Sequence, residues 1–206
     1  MSINVAVLAS HNGSNLRALT AAARQPGSAY AVALVISNNS ASGALAHAVE
    51  QGIAHAHLSG RTHPDPDALD QAMLALLREH DVALVVTAGY MRKIGPAVLA
   101  AYEGALVNVH PALLPRHGGP GMYGRHVHEA VLADGDLVSG ASVHLLTDHY
   151  DEGRVLAQAE VPVLPDDTPD TLAARVLEVE HRLLPATVQQ LALARDGDAT
   201  ERGSGA

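Results

Sequence analysis

Short apolar runs recur along this chain, and each is followed by a stretch in which apolar residues return at helical spacing. Residues 3–9 (INVAVLA), 30–37, 54–58 and 83–88 (ALVVTA) are apolar and rich in β-branched side chains. Such runs predict strands buried on both faces. Between them, a helical pattern runs from Leu16 through Leu19 and Ala23 to Pro26, and another covers residues 43–51 and stops at Gly52. A third opens at Pro66 and buries Leu69, Met73, Leu76 and Leu77, and a brief one spans residues 95–102. Further on, residues 124–132 read as a helix and residues 139–146 (SGASVHLL) as an alternating strand containing His144. Residues 155–163 read as its antiparallel partner, because the connection is short. Thr168 caps a long final helix with Pro169 at its first position, Leu172, Val176 and Val179 on its buried face, and Pro185 as a kink before Leu191. The alternation predicts an α/β, Rossmann-like fold: a mostly parallel twisted sheet with helices on both faces and one antiparallel strand near the carboxyl end. Residues 1–195 form one expected domain, and the small polar residues 196–206 an expected disordered tail.

Composition narrows the class of function. A chain of 206 residues can bury a sizeable core, and with no Phe or Trp that core must be Ala, Val and Leu. No cysteine is present, which removes disulfides, thiolate metal sites and a cysteine nucleophile. A formal net charge of −9 argues against nucleic-acid binding, while leaving room for a small anion held by local positive groups. No run approaches the ~18 apolar residues of a membrane span. The start, MSINVAVLAS, lacks a basic leader, so the expected compartment is the cytoplasm.

Chemistry gathers in residues 105–119, ALVNVHPALLPRHGG. An apolar strand delivers Asn108 and His110 two residues apart, hence on one face, and Pro111 ends it. An amide and an imidazole then project from a strand's carboxyl end, where open α/β sheets place their ligand crevice. Either residue alone reads as an incidental strand-end group; the pair reads as function. The loop beyond, with Pro115, Gly118, Gly119, Pro120 and Gly121, covers that crevice.

A second feature is the turn SHNGSN after the first strand. Gly13 allows close backbone approach, and Ser14 or Asn15 can cap the next helix or meet an anion. A plain capped turn is the competing reading. The turn is no dinucleotide fingerprint: the G-x-G-x-x-G spacing is missing, and the second strand ends in Asn38-Asn39 where an acid would hold ribose. His126 and His128 stand two apart on a helix and do not share a face, so no metal is expected there. A polar turn at residues 147–153 carries Asp148, Asp151 and Glu152. With no G-x-S-x-G elbow and no cysteine, these groups point to direct acyl or carbonyl transfer through a tetrahedral intermediate, with a phosphate at the first turn.

The segments NGSNL (12–16), AGYMR (88–92), NVHPALLP (108–115), VHEA (127–130), SVHLLTDHYDEG (142–153) and RVLEVEH (175–181) carry a resemblance over nearly the whole chain. It resembles the folate-dependent glycinamide ribonucleotide formyltransferases of de novo purine synthesis. The resemblance implies a formyltransferase fold whose residues 1–103 hold the phosphate and whose residues 104–195 carry catalysis and the folate. Asn108 and His110 are then expected to stabilise the oxyanion, and Asp151 to hold a water and relay the amine's proton. Gly13, Ser14 and Asn15 would hold the substrate phosphate, and Glu180 would accept from its ribose hydroxyls. Met91, Arg92 and Ile94, with Leu146, Thr147 and Asp148, would surround the pterin of 10-formyltetrahydrofolate, the formyl donor, with no metal involved. The implied partners are small molecules, not nucleic acid or membrane, and the implied state is a monomer or homodimer. Methionyl-tRNA formyltransferases and formyltetrahydrofolate deformylases share the Asn-His-Asp set but normally carry a carboxy-terminal RNA-binding domain and an amino-terminal regulatory domain, respectively, and with the pattern starting at Ile3 neither is expected here. A deformylase-like hydrolase and a formyltransferase-like ligand-binding protein are the alternatives. Two departures stand out: His11 takes a place usually held by Gly, and the loop PRHGGPGMYG is longer than the common form.

Overall fold

The computed structural model describes residues 2–203, with side chains through Arg195. Strands β1 (Ile3–Leu8), β2 (Tyr30–Ser37), β3 (Ala54–His57) and β4 (Val82–Thr87) alternate with helices α1 (Ser14–Ala23), α2 (Gly43–Gln51), α3 (Pro66–Glu79) and α4 (Pro96–Ala101). Then come β5 (Leu106–His110), α5 (Arg125–Ala133), β6 (Val138–Leu145), β7 (Val155–Pro162) and α6 (Pro169–Gly203). The strands form one seven-stranded sheet in the order β3-β2-β1-β4-β5-β6-β7. The first five are parallel, and β6 runs against both neighbours, so β7 points the way of the first five again.

Period-two alternation divides the core. Val5, Val7, Val35, Leu84, Val86 and Val107 face α1, α2 and α6 through Leu16, Leu19, Ala44, Leu184 and Val188. The intervening Ala6, Leu8, Ile36, Val85 and Leu106 face α3 and α4 through Met73, Leu74, Leu77 and Val98. Helices therefore cover both faces. Ala141 and Val161 pack with Val131 of α5 and Leu172 and Val176 of α6.

Several boundaries differ from the pattern. α1 starts at Ser14 rather than Leu16, because its polar first turn carries no apolar signal; Gly13 is the N-cap, and neither Ser14 nor Asn15 caps. α4 has no cap of its own: Asp70 on α3 accepts from Ala97 N at 2.7 Å and Val98 N at 3.2 Å. Thr168 Oγ1 does cap α6, accepting from Thr171 N at 3.2 Å. α6 continues through residues 196–203, where a disordered tail is expected from their polarity. Residues 204–206 of that tail lie outside the described residues.

Strand order reverses between β1 and β4, which opens a crevice at their carboxyl ends. Two loops meet there and are tied together. Ser10 N donates to Gly89 O at 3.1 Å, and Met91 N donates to Ser10 Oγ at 2.8 Å.

Candidate active site

The first turn presents backbone donors. Gly13 takes φ 71°, and the N–H groups just after it have no helical acceptors and lie at the positive end of α1. A β-carbon on Gly13 would stand 2.9 Å from Ala44 Cα, so α2 packs too closely for any other residue. Asn15 faces inward and donates through Nδ2 to Glu180 Oε2 at 2.6 Å, joining α1 to α6. Asn15 Oδ1 has no hydrogen-bond partner among the described residues. Burial pushes the Glu180 carboxyl above its ordinary range, and the Asn15 hydrogen bond only partly offsets this.

Across the crevice, register builds a polar floor. Thr87, Asn108 and His144 are cross-strand neighbours on β4, β5 and β6; His110, Ser142 and Gln158 form the next row on β5, β6 and β7. Asn108 Oδ1 accepts from Thr87 Oγ1 at 2.7 Å, and its Nδ2 lies 3.1 Å from His144 Nε2. His144 Nδ1 lies 2.9 Å from Leu145 O, which can only accept. The carbonyl puts a proton on His144 Nδ1, while Nε2 faces both the Asn108 amide and the Asp151 carboxylate. Asn108 is thus held with its amide face open to the crevice.

Asp151 reaches this floor from the turn after β6, in a left-handed conformation at φ 59°. Its Oδ1 lies 3.6 Å from His110 Nδ1 and 3.5 Å from His144 Nε2, and Oδ2 accepts from Gly119 N at 2.9 Å. Burial alone would raise its carboxyl, but the His144 contact, the His110 charge and the Gly119 N–H together hold it below the ordinary range. A neighbouring carboxylate favours a charged imidazole, yet burial of His110 outweighs Asp151 and lowers the imidazole pKa. Near neutral pH the pair is therefore a carboxylate beside a neutral imidazole. His110 Nε2–H donates to His117 O at 2.7 Å, which leaves Nδ1 unprotonated and facing Asp151.

The loop after β5 roofs the floor. Ser142 Oγ donates to Ala112 O at 2.6 Å and accepts from Leu114 N at 3.0 Å, while Gln158 Nε2 donates to Leu114 O at 2.9 Å. The His117 ring is buried against Asp136, with Nε2 2.7 Å from Oδ2. The loop thus touches two of the three expected catalytic residues through backbone groups.

A cavity of about 90 Å³ opens beside Asn108 and Asp151, between the segment after β4 and the turn after β6. Arg92, Ile94, Leu146, Thr147 and Asp148 line it, as do Thr87, Tyr90, Lys93 and His144, which the motifs do not single out. Met91 does not line it; its side chain is exposed and its backbone N–H is bonded to Ser10 Oγ. Burial pushes the Tyr90 phenol up to about 12, so it stays protonated. A larger cavity of about 280 Å³ lies behind the loop, against Arg116, His117 and Leu137, and reaches none of the three residues. The smaller cavity is the candidate chemical one, because the Asn108 amide and the Asp151 carboxylate line it, with His110 buried behind Asp151. His126 is exposed beside Glu129, whereas His128 is buried and burial lowers its pKa.

The formyl transferase family model matches residues 3–188. The chain is 39% identical over 188 residues to the chloroplastic phosphoribosylglycinamide formyltransferase of Vigna unguiculata, spanning 91% of this chain but only 60% of that protein. It is 37% identical over 190 residues to the phosphoribosylglycinamide formyltransferase of Escherichia coli K12, spanning 92% of this chain and 87% of that one. A solved structure of the Brucella melitensis phosphoribosylglycinamide formyltransferase superposes with a TM-score of 0.86 at 40% identity, over 93% of this chain and 96% of the other.

Proposed function

The chain belongs to the formyl transferase family, and we propose that it moves the formyl group of 10-formyltetrahydrofolate to the amine of 5'-phosphoribosylglycinamide. The products are formylglycinamide ribonucleotide and tetrahydrofolate. One observation carries the choice of acceptor: the open N-terminus of α1 and the buried Asn15–Glu180 pair stand together at one end of the crevice. A phosphate fits the backbone donors after Gly13, and vicinal hydroxyls fit the Glu180 carboxylate and the unpartnered Asn15 Oδ1. Donor and acceptor then meet over Asn108.

The amine attacks the formyl carbon, and the oxygen of the tetrahedral intermediate receives a hydrogen bond from Asn108 Nδ2. The attacking nitrogen gives up a proton to the Asp151–His110 pair, at Asp151 or at the free His110 Nδ1. An imidazolium formed there lies between the Asp151 carboxylate and the His117 carbonyl, both of which favour it. The carbon–nitrogen bond to N10 then breaks, and N10 takes the proton held by the Asp151–His110 pair as tetrahydrofolate leaves, which restores the pair. Typical ligand pockets span roughly 300 Å³ or more, and this cavity is about 90 Å³. Entry of the pterin therefore requires the exposed turn at residues 147–150 to swing out.

The test is an assay of tetrahydrofolate release from 10-formyltetrahydrofolate with and without the ribonucleotide. Release is expected only with it. Equal release in its absence would replace the transferase by a deformylase, with water as the attacking group.

A further inference from the structure

Lys93 is the single lysine among 206 residues, and all other fixed cations are arginines. It lines the active cavity, next to Arg92. The segment carrying both is anchored at three points. Met91 N is bonded to Ser10 Oγ, Ile94 is 3% exposed, and Tyr90 is buried enough to raise its phenol pKa. The backbone is thus held while the two cationic heads stay exposed at the cavity's mouth. Among the described residues, neither forms a salt bridge with a carboxylate of the chain. On the facing rim the Asp148 carboxylate is engaged by His149 Nδ1 at 2.8 Å.

Resting on the donor assigned above, we propose that Lys93 is the residue that reads the anionic tail of the folate donor and makes the enzyme prefer donors carrying more than one glutamate. Asn108 and Asp151, which the proposed reaction uses, line the inner part of this cavity, so the formyl end goes down and the tail leaves past the mouth. Each added γ-linked glutamate brings one further carboxylate. Arg92 offers a planar fork that one carboxylate can fill, and Lys93 is a point charge on a flexible stem that can follow the next. A protein of net charge −9 repels such a tail elsewhere, so discrimination concentrates at these two cations.

The experiment measures binding of tetrahydropteroyl monoglutamate and triglutamate by calorimetry, which needs no turnover. Wild type is expected to bind the triglutamate roughly 5- to 10-fold tighter, a ratio that falls at high salt. Lys93→Met should bring the ratio close to that left by Arg92 alone, about 2 or less, and Lys93→Arg should restore most of it. Because the chain has one ε-amine, acylation by an N-hydroxysuccinimide ester followed by peptide mass spectrometry reads Lys93 directly. The triglutamate should protect it several-fold better than the monoglutamate. Equal ratios in wild type and Lys93→Met, or equal protection, overturn the inference while leaving the transferase intact. Failure of both folates to bind wild type removes the folate donor itself, and this inference with it.

Discussion

At the scale of single residues, the proposed chemistry rests on a charge relation that runs opposite to simple pair reasoning. Asp151 pulls the His110 pKa up, burial pulls it further down, and burial wins. In the proposed reaction the working form has Asp151 ionised and His110 neutral, so activity should persist as pH falls to the ordinary imidazole value of about 6.5 and be lost below it. Asp151→Asn removes the carboxylate that favours the imidazolium, so the His110 pKa drops further and the acid limb moves to lower pH. The same change should lower kcat roughly 100-fold, since one positioned group of this kind is worth on the order of 3 kcal/mol of barrier. A pH–rate profile with both KM values tests this; an unchanged kcat would pass the role to Asp148. Glu180→Gln should act differently. It weakens a hydrogen bond to a charged acceptor, worth about 1.5–3 kcal/mol, so it should raise the ribonucleotide KM at least 10-fold and leave kcat nearly unchanged. A fall in kcat at constant KM would place Glu180 in the chemistry instead.

At the scale of elements, local pattern made most of the architecture legible. The apolar runs and helical spacings locate the β-α units, and period two puts Asn108 and His110 on one face, as register confirms through their opposite partners His144 and Ser142. Contacts between distant segments have no such signature. Nothing in residues 139–146 says that this strand lies antiparallel beside β5, so His144 reads as an ordinary strand residue until Asn108 and Asp151 are found against it. The His117 carbonyl on His110 is equally silent, because a backbone acceptor leaves no trace in residue type. Asp70 is a third case: it sits mid-helix in α3 with polar character and no motif, yet it caps α4. Asp70→Ala should cost about 1–3 kcal/mol by urea unfolding, since two helix-start donors lose their acceptor in a buried place. A change below half a kcal/mol would mean that water replaces the cap. Gly13→Ala should disturb the first turn, because φ 71° and the 2.9 Å approach to Ala44 both exclude a β-carbon.

At the scale of the whole molecule, the candidate ribonucleotide site closes the chain on itself. Asn15 and Glu180 are 165 residues apart, and their hydrogen bond joins the first helix to the last. α6 also completes the core through Leu172, Val176, Leu184 and Val188, all fully buried. A ligand spanning the α1 turn and Glu180 binds only when these ends are assembled, so it stabilises the folded state by mass action. At a ligand concentration 100 times Kd the gain is about 2.7 kcal/mol. For a chain of this size that gain corresponds to a rise in Tm of roughly 5–10 °C. The ribonucleotide alone, without folate, should produce that rise in a thermal unfolding scan. Ser14→Asp should abolish it by placing a negative charge where the phosphate sits at the helix start, while the ligand-free Tm changes little because Ser14 makes no capping bond. A rise retained in Ser14→Asp, or a rise given by the folate and not by the ribonucleotide, would mean that the phosphate is held elsewhere and that α1 is only a structural helix.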